Sequence, residues 1–274
     1  MAGLRELRKR LRSIKTTGQI AMAMRTAATA KYSRVNQVRA AFTPYSEGCR
    51  SVLASLGGEG IRGAENATER DCVVLISGNR GLCGGFHAEL FRYAEGYLAE
   101  SGAKPLLLAV GKKAAGFFHE RGLEEECFEL SDIPSFEETK KLSDRLLQIY
   151  REGEAQRIVV IYQHFHNMLT QTPGSEVLLP APGEEARETE GVYLPDRESI
   201  AERLALLCFE SAVYEIALTS ASGAQAATLM AMRSACDNAE ESAQKLEITI
   251  NRRRQAEVTA GVIETASGAF AEIG

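Results

Sequence analysis

The sequence predicts an α/β protein in which long N- and C-terminal helices form an antiparallel coiled coil and flank, along the chain, a central Rossmann-like α/β domain. Three observations carry that prediction. All seven prolines lie between Pro44 and Pro195, together with 18 of the 24 glycines, so helix breakers are confined to the middle. The two proline-free ends carry apolar residues at three- and four-residue steps, the spacing of a helix seam. The middle alternates short apolar runs with amphipathic stretches, as strand–helix–strand units do. The expected segments are a coiled-coil helix over 1–43, a central domain over 44–195 and a second coiled-coil helix over 196–274.

In the first segment Leu4, Leu7, Leu11 and Ile14 step by three, four and three residues. The strict seam loosens after Gly18, and Ile20, Met24, Ala27, Val35, Val38 and Phe42 carry the helix until Pro44, which is expected to end it. Forty residues make a rod of about 60 Å, too long for one small core to wrap. In the last segment Asp196 follows Pro195 as an N-cap, and Leu229, Met232, Cys236, Ala239, Ala243, Leu246 and Ile250 form an unbroken heptad. Seventeen alanines after residue 195 favour a thin helix, with Gly223, beside Ser220 and Ser222, as its expected weak point. Two solitary amphipathic rods are unstable in water, so they pack together. Because the chain turns back through the middle domain, the pairing is antiparallel.

The middle reads as strands at 72–76, 105–110, 125–130 and 157–162, with a weaker one near 176–179. Helices are expected at 86–100, 112–121 and 136–152. This alternation implies a largely parallel sheet with helices on its faces. The acidic run 183–190 reads as a solvated loop.

Composition excludes several classes. With 45% hydrophobic and 25% charged residues among 274, the chain is neither disordered nor collagen-like. No apolar run approaches the roughly 20 residues of a membrane-spanning helix. The six cysteines lack CxxC spacing, which favours reduced thiols over a disulfide framework. The N-terminus lacks the apolar run of a secretory signal; its basic start imitates a transit peptide, but its pattern continues into the helix. The net charge of −5 hides an asymmetry: residues 1–40 hold ten Lys/Arg against Glu6 alone.

Candidate chemistry is sparse. The segment Ser77-Gly-Asn-Arg-Gly-Leu-Cys-Gly-Gly85 joins a strand to a helix, where phosphate loops occur, yet it matches neither GxGxxG nor the end of a nucleotide P-loop. Tight strand-to-helix packing is the competing and preferred use of its glycines. Cys83 would be favoured as a thiolate near a helix N-terminus, but lacks an identifiable base, so a buried structural thiol is preferred. His164 and His166 could face one way as a metal pair, but without further ligands at suitable spacing they read as strand-end histidines. No catalytic set, metal site or cofactor is expected. The basic first helix suits a solvated face, an acidic protein partner or, last, nucleic acid. Arg252, Arg253 and Arg254 form a second basic cluster, and Arg254-Gln255 is a donor-rich pair suited to a partner's carboxylates.

Several stretches, in order across nearly the whole chain, resemble the gamma subunit family of F-type ATP synthases. They are Met1-Ala-Gly…Ile14-Lys15…Gln19-Ile20…Ala23-Met24, Arg80-Gly-Leu-Cys-Gly-Gly-Phe86, Met230-Ala-Met-Arg233…Asp237-Asn238 and Asn251…Arg254-Gln255-Ala256…Gly268-Ala269. The resemblance implies a non-catalytic central stalk of bacterial type, turned by the membrane c-ring inside a ring of three α and three β subunits, with epsilon alongside. Such a chain is peripheral to the cytoplasmic face of the plasma membrane. It further implies that Met24, Arg25, Arg254 and Gln255 contact β, and that Arg80, Gly81, Cys83, Gly84 and Gly85 are a packing motif. Ala21-Met22, Ala224, Thr228 and Asn79 depart from the residues usual in the family. The alternative reading is a Rossmann-like nucleotide- or phosphate-binding protein with coiled-coil arms.

Overall fold

A computed structural model describes residues 2–56, 61–101, 104–181 and 196–271. Its chain order is α1 (Ala2–Ser55), β1 (Asp71–Ile76), α2 (Phe86–Glu100), β2 (Leu106–Val110), α3 (Lys112–Glu120), β3 (Glu126–Phe128), α4 (Phe136–Arg151), β4 (Arg157–Phe165), β5 (Gln171–Leu179) and α5 (Arg197–Ala271). Two compact units result. One comprises Met1–Ala27 with Ala231–Gly274, the other Ala28–Met230, and both long helices contribute to each.

In the larger unit five strands lie in the order β3-β2-β1-β4-β5. The first four are parallel, and β5 runs antiparallel to β4. The parallel strands are reached through helical crossovers. Only a few residues separate β4 from β5, too few for a parallel return. Asn167 closes that turn, its Oδ1 accepting the amides of Leu169 and Thr170 at 2.9 Å.

Alternation along the strands divides the core. Cys72, Val74, Ile76, Leu108, Ile158 and Val160 pack against Leu142, Leu146 and Ile149 of α4 and Phe209, Val213 and Ile216 of α5. Val73, Leu75, Leu107, Ala109 and Ile161 face Leu90 and Ala94 of α2 and Phe117 and Phe118 of α3. A third cluster joins Val35 and Phe42 of α1 to Tyr214 and Leu218 of α5 and to Ile133 and Phe136. At α4 a capping box forms: Ser135 Oγ accepts the Glu138 amide at 3.2 Å, and the Glu138 carboxylate accepts the Ser135 amide at 2.8 Å.

Pro44 does not end α1, as it was expected to; the helix continues to Ser55. Proline removes one helical hydrogen bond, but tertiary contacts hold the turns on either side of it. The Phe42 ring meets that of Tyr214 edge-on at 4.8 Å, and Glu215 of α5 accepts from Ser46 at 3.1 Å and from Arg50 at 2.8 Å. Helix α5 is continuous through Gly223, so that residue is no weak point. Asp196 does cap α5: its carboxylate accepts the Ser199 amide at 2.8 Å. One further expectation changes. Helix α5 contains an 18-residue window of mean hydropathy 1.4, apolar enough to cross a membrane. Half of that window is buried inside the molecule, so core packing accounts for its apolarity.

In the smaller unit the two helices run antiparallel. Gly3 faces Arg253, Lys15 pairs with Glu247 at 2.6 Å, and Gly18 faces Ala239. The seam does not loosen after Gly18. The same three-four step continues at buried or half-buried positions through Gly18, Ala21 and Arg25 and, where α1 enters the larger unit, Ala28, Tyr32 and Val35. Ile20 and Met22 point outward, 57% and 55% exposed. A β-carbon on Gly18 would stand 3.2 Å from that of Ala239, so small residues set a close approach. On α5 the expected heptad is observed: Met232, Ala243 and Ile250 are buried, and Cys236, Ala239 and Leu246 half-buried.

Candidate functional site

The place where an open α/β sheet would bind a ligand is the crevice at the carboxyl ends of the strands where their order reverses, here between β1 and β4. The loop from Ser77 to Gly85 leaves β1 at this point. Three successive loop residues cap α3, which has no side-chain cap of its own. Asn79 Oδ1 accepts the Lys112 amide at 3.1 Å, the Gly78 carbonyl accepts that of Lys113 at 3.3 Å, and Ser77 Oγ accepts that of Ala114 at 2.7 Å. Gly111 lies at φ +91°, and a β-carbon there would collide with the Ser77 carbonyl. Only glycine lets the two turns nest. The amides that would hold a phosphate at a helix N-terminus thus serve the protein's own loop.

The crevice itself is filled. Gln163 of β4 is fully buried and donates to the Phe86 carbonyl at 2.8 Å. A β-carbon on Gly223 would stand 3.1 Å from the Phe86 ring, and one on Gly78 would stand 3.8 Å from that of Ala224. Gly223 is therefore a site of close approach between α5 and the start of α2. Between the loop and Ala217, Ser220, Ala221 and Ala224 only about 40 Å³ remains, far below a ligand pocket of about 300 Å³.

Within the loop, Arg80 is exposed, its Nε lying 3.7 Å from Asp132 Oδ2. Gly81 is half-buried, a β-carbon there standing 3.9 Å from the Lys113 side chain, and Leu82 takes φ +65° with its side chain 62% exposed. Gly84 has φ +60°, and Gly85 precedes the first residue of α2. Cys83 is buried, and burial pushes its thiol above the ordinary range, outweighing hydrogen bonds from the Cys83 and His87 backbone. That environment suits a structural thiol. His87 is buried beside it, its Nε2 lying 3.1 Å from the Arg80 carbonyl. His164 packs on Gly174 across the β4–β5 pair, and His166, past the end of β4, bonds Thr172 Oγ1 at 2.9 Å. Among the described residues no group of three or more His, Cys, Asp or Glu could hold a metal.

The other predicted site residues lie on the smaller unit. Met24 and Arg25 are half-buried in α1, Arg25 at a seam position. Arg254 and Gln255 are exposed, within a stretch of α5 from residue 251 to 263 that is exposed throughout. Gly3 faces Arg253, so the two pairs are not brought together; Met24 lies about 30 Å further along α1. The same register brings the exposed Arg5, Arg8 and Lys9 to the end of the helix pair that carries Arg252 to Arg254. Beyond that point α5 presents Val258, Val262 and Ile263 to solvent, each at least 60% exposed. Sequence reading missed Lys31 and Asp132, which form an ion pair across 101 residues. No local pattern signals such a pair.

These features define a class: an α/β chain whose crevice at the strand ends is filled by its own helices and whose helix α5 is exposed from residue 251 to 263. The family model described as ATP synthase matches residues 3–271. The chain is 33% identical over 282 residues to the ATP synthase gamma chain of Pelotomaculum thermopropionicum and 31% identical over 291 residues to that of Rubrobacter xylanophilus, covering 99% of each chain in both cases. It is similar in fold to a chain in the Euglena gracilis mitochondrial ATP synthase structure of OSCP, F1 and c-ring, with TM-score 0.69 at 18% identity over 98% of this chain and 94% of that one. A chain in the central stalk and c-ring structure of the Tetrahymena thermophila mitochondrial ATP synthase gives TM-score 0.62 at 19% identity, over 79% of this chain and 99% of that one. The chain belongs to the ATP synthase gamma chain family. As such it is a non-catalytic subunit of the membrane-associated ATP synthase complex, the rotor of its central stalk.

Proposed function

We propose that this rotor works by inserting the bare stretch of α5 into a ring of three α and three β subunits while the sheet-bearing unit stands on the membrane c-ring with epsilon alongside. The observation that carries this reading is the exposed run from residue 251 to 263, where one helix continues past the start of its partner and turns apolar side chains outward. A helix with apolar groups exposed on several sides is stable where a surrounding sleeve covers them. Arg254 and Gln255 engage carboxylates of one β subunit at a time. A charge-assisted hydrogen bond of this kind contributes about 1.5–3 kcal/mol, enough to favour one rotary dwell without locking it. Met24 and Arg25 meet β nearer the foot, and the basic residues of the first helix face acidic surface on the ring. The motif Arg80, Gly81, Cys83, Gly84 and Gly85 serves packing. The complex sits at the cytoplasmic face of a bacterial plasma membrane, with this chain peripheral to it.

Co-expression with the cognate α and β subunits tests the proposal. The expected result is an ATPase complex from which this chain copurifies. A chain that stays monomeric beside an assembled, active α/β complex contradicts it. Calorimetry with ATP on the chain alone tests the nucleotide-binding alternative, for which the filled crevice predicts no heat of binding.

A further inference from the structure

Three connections rise from the carboxyl edge of the sheet, and each grips a long helix. The β1–α2 loop meets α5 at Gly78 with Ala224, and Phe86 at the start of α2 meets Gly223. The end of β4 meets α1: the Phe165 ring lies 6.1 Å from that of Tyr32 and 5.2 Å from the Arg39 guanidinium. The β3–α4 connection carries Asp132, whose Oδ2 accepts from the Lys31 ammonium of α1 and lies 3.7 Å from Arg80 Nε of the glycine loop. Its surroundings are held firmly. Leu130 accepts from Asn79 at 2.6 Å, Ser131 donates to the Ile133 carbonyl at 2.6 Å, and Ile133 and Phe136 pack into the cluster around Val35 and Tyr214.

We propose that Asp132 is a positioning residue for torque transfer: one carboxylate that ties α1, through Lys31, to the glycine loop of the sheet, through Arg80. The inference rests on the rotor reading above. Apolar packing between a helix and a sheet is non-directional and resists separation better than sliding. An ion pair fixes register, because displacement along the helix separates its charges. The Asp132 side chain is 22% and that of Lys31 31% exposed, so the pair is partly shielded from solvent. Helix and sheet are thereby made to turn together under load.

The test uses the whole complex in vesicles, reading ATP hydrolysis and ATP-driven ion uptake together. Asp132→Asn and Lys31→Gln should assemble normally and hydrolyse ATP at the wild-type rate without a gradient. Against an imposed ion gradient, uptake per ATP should fall at least twofold. The double variant should lose no more than either single one, and Lys31→Arg should retain the wild-type ratio. Should Asp132→Asn reduce assembly, Lys31→Gln, which leaves Asp132 beside Arg80, carries the comparison. An unchanged ratio in Lys31→Gln, or a loss in Lys31→Arg equal to that in Lys31→Gln, overturns the inference. Failure of the wild-type chain to enter an α/β complex overturns instead the rotor reading beneath it.

Discussion

Asn79 donates its side-chain amide to the Leu130 carbonyl at 2.6 Å while its own side-chain oxygen takes the Lys112 amide at 3.1 Å. One residue thus joins the β1 loop to the start of α3 and to the start of the β3–α4 connection. Asn79→Ala removes both bonds and should cost about 1–3 kcal/mol. Asn79→Asp loses the donated bond but places a charge at the N-terminus of α3, worth about 0.3–1 kcal/mol in return, so its cost should be smaller. Urea unfolding of the full chain measures both; equal losses would contradict the double role.

His87 makes stability pH-dependent. Nε2 donates to the Arg80 carbonyl, and Nδ1 is buried without a partner, so a second proton must go to Nδ1. Burial disfavours the cation first; the Arg80 carbonyl opposes this, and nearby Lys113 adds to it, so the folded imidazole titrates below its ordinary 6.5. The unfolded chain therefore binds the proton first on acidification. His87 contributes stability that is present above pH 6.5 and lost as pH falls from there through the folded value. Unfolding midpoints should decline over that window in the wild type and be flatter in His87→Gln. Parallel pH profiles would contradict this.

Gly18 sets the distance between the helices of the smaller unit. Gly18→Leu must displace Ala239 and should cost about 1–3 kcal/mol, as overpacking does. Circular dichroism melts read the loss. An unchanged melt would mean that the helices part without cost at this level.

Thiol chemistry follows burial. Cys72 is fully buried, with its pKa pushed up to about 12, and Cys83 is also buried, whereas Cys127 is exposed on β3. A maleimide at neutral pH should label Cys127 rapidly and Cys72 and Cys83 only on unfolding, as peptide mapping would show. Rapid labelling of Cys83 in the folded chain would contradict its structural role.

Much of the fold was legible because single-residue chemistry dictated it. Apolar runs such as Cys72–Ile76 and Arg157–Tyr162 located the strands, and Asp196 marked the start of α5. Small and special residues misled where tertiary contact decides. Pro44 sits inside a helix because Phe42 and Ser46 are held from outside. Gly223 faces a ring rather than breaking a helix, and Gly18 and Ala21 carry a seam that hydropathy assigns to Ile20. The candidate site was less legible: the glycine loop was read as a packing device, but the caps it supplies to α3 join residues about 33 positions apart. Lys31 and Asp132 met only once α1 lay beside the β3 connection.

Rotation itself is the most direct measurement of the central claim. The exposed Cys127, far in sequence from both helix ends, can carry a probe on this chain within a surface-fixed complex with α and β. With ATP the account predicts unidirectional rotation of the probe, at a rate that follows ATP turnover. Sustained ATP turnover with a stationary probe on an intact, copurified chain would contradict it.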